Sequence, residues 1–177
     1  DATSEGAWES CLIGADLVIN LTGKSVNCRY TEANKLEIVN SRVNATRVLQ
    51  IAVNKLQHKP ALWINASAAS IYGQHPEALM TEEDSIRGDD FSAIVAQKWE
   101  AAFFQEETVN LRKVALRISL ILGKSGGVFP VFKKLARLGL GGKMGNGKQK
   151  FGWIHIDDVI RMIDCIIQNE TISGPVN

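Results

Sequence analysis

The sequence predicts an α/β fold in which helices cover both faces of a parallel sheet. Three observations predict it. Short, almost fully apolar runs alternate with long segments of helical periodicity, the pattern of strands buried on both faces. The three clearest runs each end in small or polar residues, Asn20-Leu-Thr-Gly23, Ala66-Ser-Ala-Ala-Ser70 and Leu120-Ile-Leu-Gly123. Such ends suit the carboxyl edge of a parallel sheet, where ligands bind. No apolar run approaches a membrane span, and 45% hydrophobic with 22% charged residues is ordinary for a globular domain.

The elements follow in order. Asp16-Leu-Val-Ile-Asn20 reads as a buried strand. Thr31, Glu32 and Asn34 open a helix with no Gly or Pro before Leu56, and Leu36, Val39, Val43, Ala45, Leu49, Ala52 and Leu56 recur at helical spacing. Pro60 closes it. Ala61 to Ala66 is the next strand, and Ser67 to Asp90 is mostly loop. Phe91 to Thr108 is rich in helix formers. Val114 to Leu122 reads as one strand, interrupted only by Arg117 and Ser119. Val128 to Leu138 is a basic helix, and Asp157 caps a final helix that runs to about Gln168. The chain of 177 residues reads as one domain, 1–177, with Ser85 to Asp90 and Gly139 to Gly147 as internal loops.

Charge is segregated although the net charge is only +1. Between Glu107 and Asp157 there is no acidic residue, while ten of the twenty Lys and Arg fall there: Arg112, Lys113, Arg117, Lys124, Lys133, Lys134, Arg137, Lys143, Lys148 and Lys150. Glycine-freed backbone amides among cations suit a polyanion, whether a phosphorylated small molecule, a dinucleotide or a nucleic acid. The aromatics of this stretch, Phe129, Phe132, Phe151 and Trp153, sit in apolar contexts and read as core, which argues against a stacking platform for nucleic acid. The expected partner is therefore a small anionic molecule, with no nucleic acid and no membrane. Cys11, Cys28 and Cys165 form no framework and point to a reducing, cytoplasmic compartment. His58, His75 and His155 lack ligand spacing, so no metal site is expected.

Six segments then carry a resemblance: Asp16-Leu-Val-Ile-Asn-Leu-Thr-Gly23, Ser41-Arg-Val-Asn-Ala-Thr46, Ser67-Ala-Ala-Ser-Ile-Tyr-Gly73, Lys98-Trp-Glu-Ala-Ala102, Leu116 to Gly123 and Trp153-Ile-His-Ile-Asp-Asp158. In this order they resemble the NAD(P)-dependent epimerase/dehydratase family of extended short-chain dehydrogenase/reductases. Arg137-Leu-Gly-Leu-Gly-Gly142 and Gly145-Asn-Gly-Lys-Gln149 look like its sugar-nucleotide epimerase-like branch in particular. The resemblance implies a Rossmann-like doubly wound sheet, NADP or NAD as cofactor, and a nucleotide sugar or similar anion as substrate. It also implies a homodimer through helices 31–56 and 91–108, with Trp99, Phe103 and Phe104 as its large apolar groups. The family's N-terminal βαβ unit, with its glycine fingerprint for the pyrophosphate, does not occur here, nor does most of a C-terminal substrate region. The chain is thus expected to be the truncated, central part of such a fold.

The same resemblance assigns the site. Cofactor contacts fall to Asn20, Leu21, Thr22, Gly23, Ala66, Lys98 and Arg117. The family's proton shuttle uses Ser or Thr with a Tyr-x-x-x-Lys pair, in which the cation favours phenolate. Here Lys98 holds the Lys position, Ile94 the Tyr position and Ala68 the Ser/Thr position. Ser67 and Tyr72 are the nearest replacements, so the catalytic candidates are Ser67, Tyr72 and Lys98. Arg42, where many relatives have Asn, is a candidate for a substrate phosphate or for an ion pair with Asp89 or Asp90. Phe151 stands where an Arg grips the substrate diphosphate in sugar-nucleotide members, with Lys148 and Lys150 beside it. Two functions remain open: nicotinamide-dependent epimerase or oxidoreductase chemistry, and a dinucleotide-binding module that has lost the chemistry. With no pyrophosphate cradle, residues 1–177 alone are expected to bind NADPH weakly or not at all. Low-micromolar affinity in a fluorescence titration would show that no βαβ unit is needed.

Overall fold

A computed structural model describes residues 4–73, 79–84, 86–105, 108–143, 145–148 and 150–177. The chain divides into two compact units. The first comprises residues up to 74, residues 80–117 and residues 172–177; the second comprises 75–79 and 118–171.

In the first unit, strands β1 (Leu17–Asn20), β2 (Leu62–Ala68), β3 (Arg112–Ile118) and β6 (Gly174–Val176) form a sheet in the order β1-β2-β3-β6. β1 pairs with β2 and β3 with β6, both parallel, and Asn20 lies opposite Asn65. Helices α1 (Glu32–Lys55) and α2 (Phe91–Phe104) pack on it and on each other. The Thr31 hydroxyl caps α1 by accepting the Asn34 amide, as its sequence position predicts. The Asp90 carboxylate caps α2 by accepting the amides of Ser92 and Ala93. α2 stops at Phe104, short of the expected Thr108, and Glu106 and Glu107 lie outside the described residues.

The core of this unit gathers one or two residues each from β1, β2, β3, α1 and α2. Val18 of β1, Ala52 and Val53 of α1, Trp63 of β2, Phe103 of α2 and Ala115 of β3 form one buried cluster with Leu12 of a short 3-10 turn, Ala7–Leu12. That turn is not foreseen in the sequence. Trp63 and Phe103 meet edge to face, with centroids 5.0 Å apart. The Lys113 ammonium lies over both rings and donates to Gln50 and to the Phe103 carbonyl. Trp99 and Phe103 are thus spent inside the unit and only Phe104 of the three aromatics is substantially exposed, which corrects their expected use as a dimer face.

Two further expectations change here. The stretch from Val114 to Leu122 is two strands, because β3 ends at Ile118 and β4 (Leu120–Leu122) belongs to a different sheet. Part of the expected loop after Ala66 is ordered structure: β2 continues to Ala68, and a 3-10 turn spans Ala69–Tyr72. Gln74 to Ala78 and Ser85 lie outside the described residues.

In the second unit, β4 pairs in parallel with β5 (Trp153–His155). α4 (Ile156–Gln168) packs against both strands, and α3 (Phe129–Arg137) carries the expected basic residues. The cap of α4 is His155, whose Nδ1 accepts the Asp157 amide at 3.2 Å, so Asp157 sits in the first turn. An imidazole acceptor one residue before the helix serves the orphan amide as a carboxylate would.

Gly73 and Gly88 fix the segment after the 3-10 turn. Gly73 has φ +73°, and a methyl on Gly88 would stand 2.5 Å from the Gly73 Cα and 2.8 Å from the Ala93 Cβ. The Gly88 amide donates to the Ile71 carbonyl, and Gln97 donates to the Gly88 carbonyl. Backbone lies against backbone, so Gly88→Ala has no soft neighbour to displace. It should cost about 1–3 kcal/mol, read as a lower urea midpoint at unchanged slope.

Candidate functional site

Two buried polar networks stand at the carboxyl ends of β1, β2 and β3, all within the first unit. The first begins at Asn20, which is 3% exposed. Its amide nitrogen donates to Asn65 Oδ1 at 2.7 Å and to Thr46 Oγ1 at 3.3 Å. Its oxygen accepts from the Thr22 amide at 3.1 Å and the Thr22 hydroxyl at 2.6 Å. Trp99 Nε1 donates to the same Thr46 hydroxyl at 3.0 Å. Every hydrogen-bonding group of the Asn20 amide is thereby used, and the chain turns at Leu21–Thr22 in one fixed way. Leu21 is left 64% exposed at the rim. Beside the turn lies an apolar cavity of about 440 Å³, bounded by Trp8, Cys11, Val18, Asn20, Thr22 and Leu49.

Gly23 follows the turn. A methyl there would stand 3.0 Å from the Arg42 Cζ. The space that glycine opens is therefore filled by Arg42, whereas the sequence expectation gave it to the cofactor. Arg42 donates through Nη1 to the carbonyls of Lys24 and Ile38, at 3.1 and 2.9 Å, and lies over the Trp99 ring. Burial lowers its pKa from the ordinary arginine value. The expected ion pair with Asp89 or Asp90 is not formed among the described residues, since Asp90 is occupied as the cap of α2.

The second network centres on Glu100. Arg117, 3% exposed on β3, donates from Nε to Glu100 Oε1 at 2.9 Å and from Nη2 to Oε2 at 2.8 Å, a two-point fork. The Ser67 hydroxyl donates to Glu100 Oε1 at 2.6 Å. Arg117 Nη1 donates to the Tyr72 hydroxyl at 2.6 Å. That phenol in turn faces the Thr81 carbonyl at 2.9 Å and Asn177 Oδ1 at 2.8 Å, and its single proton serves one of them. The carboxylate of Glu100, with its hydrogen bonds and its charge, raises the pKa of Arg117, so the guanidinium stays charged. Both Arg87 and Arg117 lie over the Tyr72 ring, at 5.7 and 5.1 Å.

Of the predicted site residues, the structure brings together Ser67, Tyr72 and Arg117, and it gathers Asn20, Thr22 and Gly23 at the β1 edge. Ala66 lies in β2, partly buried, opposite in alternation to Ser67. Lys98 joins neither group. It is exposed on the outer face of α2, bordering a groove with Val39, Val43 and Arg47 of α1, and Ile94 on the same face is 39% exposed. The reason is helical phase. Positions 94 and 98 share one face, whereas Glu100, two residues on from Lys98, is turned about 200° round the axis into the buried network. Arg117 is held by Glu100 and Tyr72 rather than presented at an open edge. Sequence reading missed Glu100, Asn65 and Thr46. A buried carboxylate within helical reach of an arginine in an apolar strand was the available signal, since such a cation needs a partner.

A parallel α/β sheet with polar networks at the carboxyl ends of its strands is a Rossmann-like architecture. Residues 1–177 match the NAD dependent epimerase/dehydratase family throughout, and the chain belongs to that family. It is 39% identical over 175 residues to the epimerase family protein YfhF of Bacillus subtilis, which covers 98% of this chain and 57% of the relative. The chain thus spans little more than half the length of that relative. Among solved structures, human epimerase family protein SDR39U1 with NADPH is 30% identical with a TM-score of 0.86, covering 98% of this chain and 62% of that one. A nucleoside-diphosphate sugar epimerase from Corynebacterium glutamicum is 33% identical with a TM-score of 0.85, covering all of this chain and 36% of that one.

The ion pair makes a clear prediction. Glu100→Ala leaves a buried guanidinium without its carboxylate and should lower stability by about 3–5 kcal/mol, whereas the double change Glu100→Leu with Arg117→Met should recover most of the loss. Urea unfolding of the three proteins measures both numbers.

Proposed function

We propose that the intact protein binds a nicotinamide dinucleotide along the Asn20–Gly23 edge and acts on a small anionic substrate of nucleotide-sugar type. The observation that carries this is the Asn20 amide, locked by Asn65 and Thr46, which shapes the β1 turn beside an apolar cavity of suitable size. The NADPH bound by the human neighbour favours NADP, and the Corynebacterium neighbour's nucleoside-diphosphate sugar chemistry favours the substrate class. When bound, the dinucleotide would supply hydride chemistry, and this chain's part is to hold and orient it. The three cysteines are free, in keeping with a cytoplasmic protein. The outer faces of α1 and α2, with Leu36 and Ile94 exposed, are the proposed homodimer face.

A second reading, a dinucleotide-binding module without the family's proton shuttle, has its own support. Ser67 gives its proton to Glu100, and the Tyr72 hydroxyl accepts from Arg117 while donating to Thr81 or Asn177. Neither hydroxyl is poised to exchange a proton with a ligand, and Ile94 has none to exchange. Proton transfer by a positioned group contributes about a hundred- to ten-thousand-fold. We therefore place dinucleotide binding first and Tyr-dependent turnover last.

The test uses the full-length protein. NADPH and NADH should bind saturably, and Asn20→Ala should weaken them about tenfold by freeing the turn. Absence of binding by the wild type would sink the proposal. Assays with a panel of nucleotide sugars should show little turnover. Robust turnover abolished by Tyr72→Phe would overturn the second reading. Turnover lost with Lys98→Met would place the chemistry on the outer face of α2. Sedimentation of the same sample should give a dimer.

A further inference from the structure

Helix α3 of the second unit has no buried residue. Val131, Leu135 and Leu138 recur at i, i+4 and i+7 and share about 60° of its circumference, while Lys133, Lys134 and Arg137 project round the remainder. The aliphatic stripe is exposed, Leu138 to 63%. The end of the helix extends it. Gly139, at φ +70°, donates its amide to the Ala136 carbonyl, and the Leu140 amide donates to the Leu135 carbonyl at 2.9 Å. Leu140 is thereby fixed beside the stripe and is 68% exposed. Phe151 meets Phe132 with ring centroids 5.8 Å apart, which brings the neighbours Lys148 and Lys150 close to the same helix. Phe151 and Trp153 are exposed, although their sequence context predicts core.

The seven cations between Ile118 and Ile156 make no ion pair among the described residues, and no acidic residue stands among them in the chain. An exposed apolar stripe bordered by unpaired charge marks a contact surface. Chemistry separates the partners it could meet. A small anion needs donors that converge, whereas these are spread along a helix and the loops beside it. A nucleic acid would use the cations and the rings but gains nothing from the exposed aliphatic side chains. An anionic bilayer uses both: the apolar side enters the acyl boundary, and the long Lys and Arg stems reach back to the headgroups. We infer that α3, with Leu140 and Phe151, is an interfacial element that lies on an anionic lipid surface. The expectation of no membrane partner rests on the absence of a spanning run, and an interfacial helix needs none. Contact of this kind is peripheral, since no helix among the described residues is long and apolar enough to cross a membrane.

The experiment sediments the full-length protein with vesicles of phosphatidylcholine alone and of phosphatidylcholine mixed with phosphatidylglycerol. Wild type should bind the mixed vesicles and leave the neutral ones. Each cation at such a surface is worth about fivefold, so Lys133→Gln, Lys134→Gln and Arg137→Gln combined should weaken binding about a hundredfold. Leu135→Ser combined with Leu138→Ser keeps every charge and should weaken it at least about tenfold. All five side chains are exposed, so both variants keep the fold. Binding that is indifferent to the leucine changes overturns the inference, because charge alone holds any basic surface to such vesicles. Binding indifferent to the glutamine changes overturns it as well. So does wild type that ignores the mixed vesicles, in which case the stripe is met by something else in the full-length protein. Salt-sensitive binding of single-stranded oligothymidylate that the glutamine changes abolish, with no binding to vesicles, overturns it and gives the face to nucleic acid.

Discussion

The Glu100–Arg117 pair is the constraint on which the first unit depends. Two charges buried in a strand-and-helix core are tolerable only when nearly every donor and acceptor finds a partner. Here the demand is met by five elements at once. Arg117 comes from β3, Glu100 from α2, Ser67 from the end of β2, Tyr72 from the 3-10 turn, and Asn177 follows β6. Removing Glu100 or Arg117 leaves the other a buried charge without its partner, so the pair holds the rotation of α2 about its axis. That rotation in turn decides which residues of α2 face inward and which face out.

This phase explains the state of the family's proton-shuttle positions. With Glu100 and Trp99 turned inward, Ile94 and Lys98 lie on the outer face beside α1. Ser67 and Tyr72, the nearest hydroxyls, are drawn into the network as donors and acceptors of structure. The β1 edge tells the opposite story. There the buried amides of Asn20 and Asn65 spend their hydrogen bonds on shaping a turn, beside which Arg42 bonds the Lys24 and Ile38 carbonyls. Polar side chains at the β1 edge shape a turn, while the hydroxyls beside Glu100 are absorbed into structure.

The basic segment shows how a linear charge pattern can divide in space. Of its ten cations, Arg112, Lys113 and Arg117 belong to the first unit, where they bond the Ile172 carbonyl, the Gln50 and Phe103 oxygens, and Glu100. The other seven lie in the second unit, with Lys133, Lys134 and Arg137 exposed along α3. The density of positive charge in the sequence is thus partly internal bonding. A count of Lys and Arg cannot distinguish a cation that pairs with a distant glutamate from one that faces solvent.

The sequence by itself determined the α/β class, the strands near residues 16–20 and 61–66, and the start of α1 at Thr31. These rest on local signals: apolar runs, 3.6-residue periodicity and a side chain that caps its own helix. It also determined that a residue without a transferable proton stands at position 94. Tertiary structure alone decided the rest. The break between β3 and β4 depends on which sheet each strand joins, and the cap of α4 passed to His155 through ring geometry that no propensity encodes. Glu100 became the hub of the site because it meets Arg117 across 17 residues of chain. Gly23 serves Arg42 because a helix 19 residues on, counted from the numbering, brings the guanidinium against it. Periodicity assigns a face to each residue of a helix, but only packing against the other elements decides what that face meets.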